Sequence, residues 1–173
     1  MRTSSRVELG MMMAALALAL LGCSSDGSFT ATANLNGNYT VSVTDADNGC
    51  SIDSWQVGKS ASDIPFMIEQ DGMSVNGTLQ GAAAIALALS IGTNKFQGTG
   101  TGTTFQMTAY GTIPRTQNNC TFTLNSTIDG KISDDAISGT ISYAPAASDN
   151  PDCASLQCTS TQNFNGTRPP SAQ

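Results

Sequence analysis

Five cysteines, Cys23, Cys50, Cys120, Cys153 and Cys158, and a complete absence of histidine define the chemistry open to this chain. Without imidazole there is no Ser-His-Asp or Cys-His catalysis, no histidine ligand for zinc or haem, and no histidine pH switch. The cysteines do not supply a redox or zinc centre instead, because no two of them form a Cys-x-x-Cys pair. Carboxylates occur in pairs, but each pair sits in a turn-like setting. Asp45-Ala46-Asp47-Asn48-Gly49 is superficially like a calcium loop, yet its glycine comes one position early and the twelfth position is Gln56, not Glu. Asp134-Asp135 reads as a hairpin turn, and Glu69 and Asp71 flank another. Glycoside hydrolysis needs two carboxyl groups converging on one bond, and no such convergence is visible. No catalytic set, metal site or cofactor is expected. Trp55 and Tyr110 are the candidate ligand contacts, since large rings supply contact area at binding sites.

Composition bounds the scaffold that would carry these residues. At 173 residues, one domain is the default once a targeting segment is set aside. Only 12% of residues are charged, but 39% are apolar and spread along the chain, which argues for a folded core rather than disorder. The net charge is −6; Arg2, Arg6 and Glu8 contribute +1 of it, so the chain beyond the leader carries −7. So few basic residues leave no electrostatic footprint for nucleic acid. The acidity reads as a solubility device.

Residues 1–22 have the three parts of a secretory signal: Arg2 and Arg6 at the start, an apolar middle from Met11 to Leu21, and the small Gly22 at the end. A middle of about eleven residues falls short of the roughly twenty that span a bilayer as a helix. Leu20-Leu21-Gly22-Cys23 resembles the lipobox of bacterial lipoproteins. That resemblance implies cleavage between Gly22 and Cys23, acylation of the Cys23 thiol and of the new N-terminus, and attachment to the cell envelope. Ser24 in place of an aspartate after the cysteine implies the outer membrane where the organism has one. Several acyl chains at about 0.8 kcal/mol per buried methylene make such an anchor durable. Residues 23–33, small and polar, then form the acylated tether, residues 34–168 the single domain, and 169–173 a disordered tail behind "RPP".

With Cys23 carrying lipid, four cysteines remain in a compartment that permits disulfides. Three pairings are open. Cys153 and Cys158 bracket "ASLQ" and predict a local staple, which leaves Cys50 with Cys120.

The domain itself shows alternation with period two. Segments 38–44, 64–70, 73–80, 94–100, 103–110, 119–128, 136–143 and 159–167 each place apolar residues on one face against Thr, Ser and Asn on the other, and short Gly- and Asp-rich turns join them. Segment 81–92, "GAAAIALALSIG", reads as a further strand, because Ile85, Leu87, Leu89 and Ile91 alternate strictly. No strong amphipathic helix is expected. Sequential antiparallel strands form a meander, and closure into a barrel removes its edges. A closed antiparallel meander needs an even strand number, so eight strands suffice, or ten if 81–92 and a strand at 52–57 both join. The expected fold is all-β, a small up-and-down barrel, with a β-sandwich as the alternative.

Gly37-Asn38-Tyr39 is similar to the Gly-x-aromatic opening of the calycins, the lipocalin and avidin-like barrels, with Tyr where Trp is usual. The resemblance implies that Arg168, just after the last strand, packs over Tyr39 as a cation–π contact closing the barrel floor. The function expected from all of this is a non-catalytic, lipid-anchored module that binds a small apolar or amphiphilic ligand. A structural or adhesive surface lipoprotein with an envelope-protein partner and no hollow interior is the alternative.

Overall fold

The computed structural model describes residues 33–117, 119–147, 151–154 and 156–170. The leader, Gly22, Cys23, the tether up to residue 32 and residues 171–173 lie outside the described residues.

Eight antiparallel strands close into a barrel. They are β1 (Gly37–Asn48), β2 (Ser60–Asp71), β3 (Ser74–Leu79), β4 (Lys95–Thr101), β5 (Thr104–Ala109), β7 (Cys120–Ser133), β8 (Ala136–Ala147) and β9 (Ser160–Thr167). Each pairs with its neighbour in sequence, β9 returns to β1, and β5 pairs with β7 to complete the ring. A ninth strand, the short β6 (Arg115–Gln117), extends the ladder at the start of β7. The β5–β7 pairing excludes the sandwich, because a sheet that closes has no edges to separate into layers.

Alternation decides which side chains face inward. Tyr39 and Val41 on β1, Phe66 and Ile68 on β2, Phe105 and Met107 on β5, and Ile128 and Ile132 on β7 are all buried, with Thr40, Met67, Gln106 and the Asp129–Lys131 stretch between them. A small barrel must fit bulky rings inside a narrow circumference. Phe66 lies over Gly77 of the adjacent β3 and Phe105 over Gly130 of the adjacent β7, so a β-carbon at either glycine would collide with the ring. Irregularities in β1, between Val41 and Val43 and between Asp45 and Asn48, bend the strand where the wall curves.

The two ends of the barrel differ. At one end lie the tight turns β2–β3, β4–β5 and β7–β8, and residues 33–36 cross it: Ala33 N–H donates to Gly102 O at 2.7 Å and Leu35 N–H to Gln70 Oε1 at 2.7 Å. This closed end is packed solid around Leu35, Tyr39, Ile68, Val75, Met107 and Ile137. The other end carries the long connections 49–59, 80–94, 110–119 and 148–159. Among the described residues the sheet closes on itself around one core and is cross-linked by two disulfides, so residues 33–170 carry their own core and staples.

Three expectations are corrected and one strand is additional. Segment 81–92 is not a strand but a helix, α1 (Gly81–Ile91). Its alternation conceals two i, i+4 pairs on opposite helix faces: Leu87 and Ile91 are buried while Ile85 and Leu89 are exposed. The alanines favour helix, the ring closes without this segment, and Gly92 ends the helix in the left-handed conformation with its N–H on Ala88 O at 2.8 Å. Residues 52–57 form turns rather than a strand, so the even number comes from eight wall strands alone. The alternation of 115–117 is too short to read, and β6 was not anticipated. The cysteine pairing is Cys50–Cys158 and Cys120–Cys153, not Cys153–Cys158 and Cys50–Cys120. The reason is strand adjacency. β1 lies beside β9 and β7 beside β8, so the β8–β9 connection passes first the head of β7 and then the end of β1.

Candidate functional site

The open half of the barrel is hollow. A cavity of about 1380 Å³ extends from the mouth down to Phe66, Ile128 and Phe164, larger than the ~300–1,000 Å³ of common ligand pockets. Its walls are inward-facing residues of the same alternating rows that fill the closed half. Val41, Val43, Ile64 and Phe66 come from β1 and β2, and Leu124, Ile128, Ile141 and Tyr143 from β7 and β8. Helix α1 contributes Ala83, Leu87 and Ile91 on one side of the mouth, and residues 50–55 line the other. The cavity exists because the wall strands outrun their filling. β7 has 14 residues and β1, β2 and β8 have 12 each, and large side chains meet across the axis only in the closed half.

One polar strip interrupts the apolar wall. Tyr143 OH donates to Gln162 Oε1 at 2.8 Å, and Gln162 Nε2 donates to Asp45 Oδ1 at 2.7 Å. Burial pushes the Tyr143 phenol up to about 12, the neighbouring Ser126 hydroxyl opposing and the Asp45 carboxylate adding to the rise. Part of the Tyr143 ring nevertheless faces the cavity. Ser126, opposite Tyr143 in the β7–β8 ladder, is fully buried, and its Oγ forms no hydrogen bond of ordinary geometry. Trp55 packs edge-on against Tyr143, with ring centroids 5.7 Å apart, and its Nε1 donates to Ala46 O at 3.2 Å. That contact fixes an indole on the cavity wall at the mouth. The charged residues of the lining are Asp53 and Arg115, both at the mouth, and Arg115 is held to α1 by a 2.7 Å bond to Ser90 O. The site is thus an apolar chamber with a hydrogen-bonding strip and a charged rim.

The remaining candidate residues fall elsewhere. Tyr110 follows β5 on an exposed connection and is not part of the cavity wall, a correction to its expected role: its side chain continues past the inward row that ends at Ala109. Gly37, Tyr39 and Arg168 meet at the closed end. The Arg168 guanidinium carbon stands 5.5 Å from the Tyr39 ring centroid, its Nε donates to Asp135 Oδ1 at 2.9 Å, and an Nη donates to Asn36 O. A β-carbon at Gly37 would stand 2.8 Å from Arg168 Cδ, so only glycine lets the guanidinium reach the ring. Tyr39 OH donates to Leu35 O at 3.0 Å, and burial raises its pKa, with Arg168 opposing and Asp135 adding. Asp45 is engaged by Gln162 and by Gln56 N–H rather than left open as a cation ligand. Among the described residues no three His, Cys, Asp or Glu side chains gather as a metal site. Phe122 and Ile141 belong to the apolar rows of segments 119–128 and 136–143, whereas Gln162 and the helix α1 at the mouth are not expected from the sequence. Alternation marks the wall residues, but nothing local flags that they line a void. The chain matches no protein-family model and no curated protein.

Proposed function

We propose that this chain is a lipid-anchored, non-catalytic envelope lipoprotein whose barrel binds a small apolar or amphiphilic molecule. The observation that carries the reading is the chamber: about 1380 Å³, lined mainly by aliphatic and aromatic side chains, with Tyr143 and Gln162 on one wall, Gln162 held in turn by Asp45, and Asp53 and Arg115 at the rim. Such a chamber suits an acyl chain or similar apolar body inside with its polar group at the mouth. The lipobox-like Leu20-Leu21-Gly22-Cys23 supports the anchor, and the acidic composition argues against nucleic-acid partners.

Mass spectrometry of the protein extracted from its own membranes tests both parts. The expected covalent form begins at Cys23 and carries acyl chains, and the expected native form carries a lipid-sized adduct released on activation. Titration with a brominated fatty acid should quench Trp55, the single tryptophan, saturably. An uncut leader overturns the anchor. A native domain without adduct and without quenching of Trp55 overturns the binder.

A further inference from the structure

We infer that the α1 side of the barrel mouth docks on the surface of a bilayer containing anionic phospholipid. Of the six large hydrophobic side chains that stand exposed among the described residues, five belong to the mouth connections: Val57, Ile85, Leu89, Tyr110 and Ile113, with Met73 alone at the closed end. Helix α1 contains no charged residue, and Ala82, Ile85, Ala86 and Leu89 form an exposed stripe at i, i+3, i+4 and i+7. A helix apolar on both faces does not belong against water. The 110–113 connection is bound to its C-terminal end, through Thr112 N–H on Ile91 O at 2.7 Å, and extends the patch with Tyr110 and Ile113.

Charge and area select the occupant. All 13 acidic residues lie outside 72–128, a stretch that carries only Lys95 and Arg115 as charges, and both stand at the mouth end beside α1. Of the other wall strands only β8 and β9 also lack carboxylates, and they carry no basic residue; β2 next to this wall brings Asp63 at its mouth end, while Asp45, Asp47 and Asp53 stand on β1 and the 49–59 connection. The wall complements anionic headgroups around an apolar centre. The large exposed side chains on this side are Ile85, Leu89, Tyr110 and Ile113, few beside the ~20–30 residues a side of a stable protein interface, so a second copy of the chain is the poorer occupant. The stripe is also continuous with the chamber, since Ala82 and Ala86 belong to both. Docking does not follow from the anchor, because Ala33, the first described residue, lies at the opposite end. Nor does it depend on whether the chamber is filled.

The test is flotation of residues 33–173, which lack leader and anchor cysteine, with vesicles of phosphatidylglycerol and phosphatidylethanolamine. The domain should float with them and should float several-fold less with vesicles of phosphatidylcholine alone. Ile85→Asp with Leu89→Asp should reduce the bound fraction at least tenfold without changing the melting temperature, since both side chains are exposed. Lys95→Gln with Arg115→Gln should remove the preference for anionic lipid. Met73→Asp, exposed at the closed end, should change nothing. Absence of flotation overturns the inference, as does equal loss in the Met73 variant. So does a dimer, seen by sedimentation, that the Ile85 and Leu89 substitutions dissolve.

Discussion

Replacing Arg168 by Met removes the clasp of the closed end while keeping most of the side-chain volume. Only 7% of the Arg168 side chain is exposed, against 30% for Asp135. A hydrogen bond to a charged group contributes about 1.5–3 kcal/mol. A partly desolvated cation–π contact adds about 1 kcal/mol. Water reaches Asp135 once its partner is gone, which reduces the penalty below the ~3–5 kcal/mol of a fully buried orphan charge. The expected loss is about 3 kcal/mol. For a domain of roughly 140 residues, with an unfolding entropy of about 2.1 cal/mol/K per residue, that corresponds to a melting temperature lower by ~10 °C. Arg168→Lys should recover less than half of this, because a point charge cannot reach Asp135, Asn36 O and the Tyr39 ring together. Thermal melts followed by near-ultraviolet circular dichroism, with Asp135→Asn completing a double-mutant cycle, give the measurement. A fall under ~2 °C, or a difference abolished by 1 M salt as a solvent-exposed pair's would be, would refute the reasoning.

Two further predictions concern the mouth end. The Tyr143 phenol, pushed from its ordinary value of 10 to about 12 chiefly by burial, keeps its proton in the folded state while the unfolded chain ionises. The stability it contributes is intact below pH 10 and is lost as pH rises from 10 to 12, up to about 3 kcal/mol. Denaturant melts across that window should show the slope, and Tyr143→Phe should flatten it. The disulfides span 108 and 33 residues. In the chain-entropy model Cys50→Ser with Cys158→Ser should cost ~4–5 kcal/mol and Cys120→Ser with Cys153→Ser ~3–4 kcal/mol. Non-reducing peptide mapping should recover the 50–158 and 120–153 pairs, and a 153–158 peptide in their place would contradict the strand adjacency on which the pairing rests.

Most of the wall is legible in the sequence because alternation is a local signal. Tyr39 and Val41, or Phe105 and Met107, announce an inward row without reference to any partner. Helix α1 shows where that signal becomes ambiguous. Ile85, Leu87, Leu89 and Ile91 satisfy a strand period, yet they equally make one buried pair and one exposed pair on a helix, and the direct pairing of β3 with β4, which leaves no place between them, decides in favour of what the alanines prefer. The cysteines fail for a different reason. Short spacing favours Cys153 with Cys158, but the connection that holds them crosses between two strands distant in sequence, and closure brings Cys120 and Cys50 to it.

The sequence by itself therefore determined the eight wall-strand segments, their inward faces, the even count that closure requires, and the absence of histidine chemistry, since each depends on residue type and near-neighbour spacing. The tertiary structure decided which cysteines meet, that 81–91 is a helix at the mouth, and that the open half of the barrel is hollow. Those depend on how side chains from strands far apart in the chain fill or fail to fill a common axis, a sum over distant volumes that no local pattern contains.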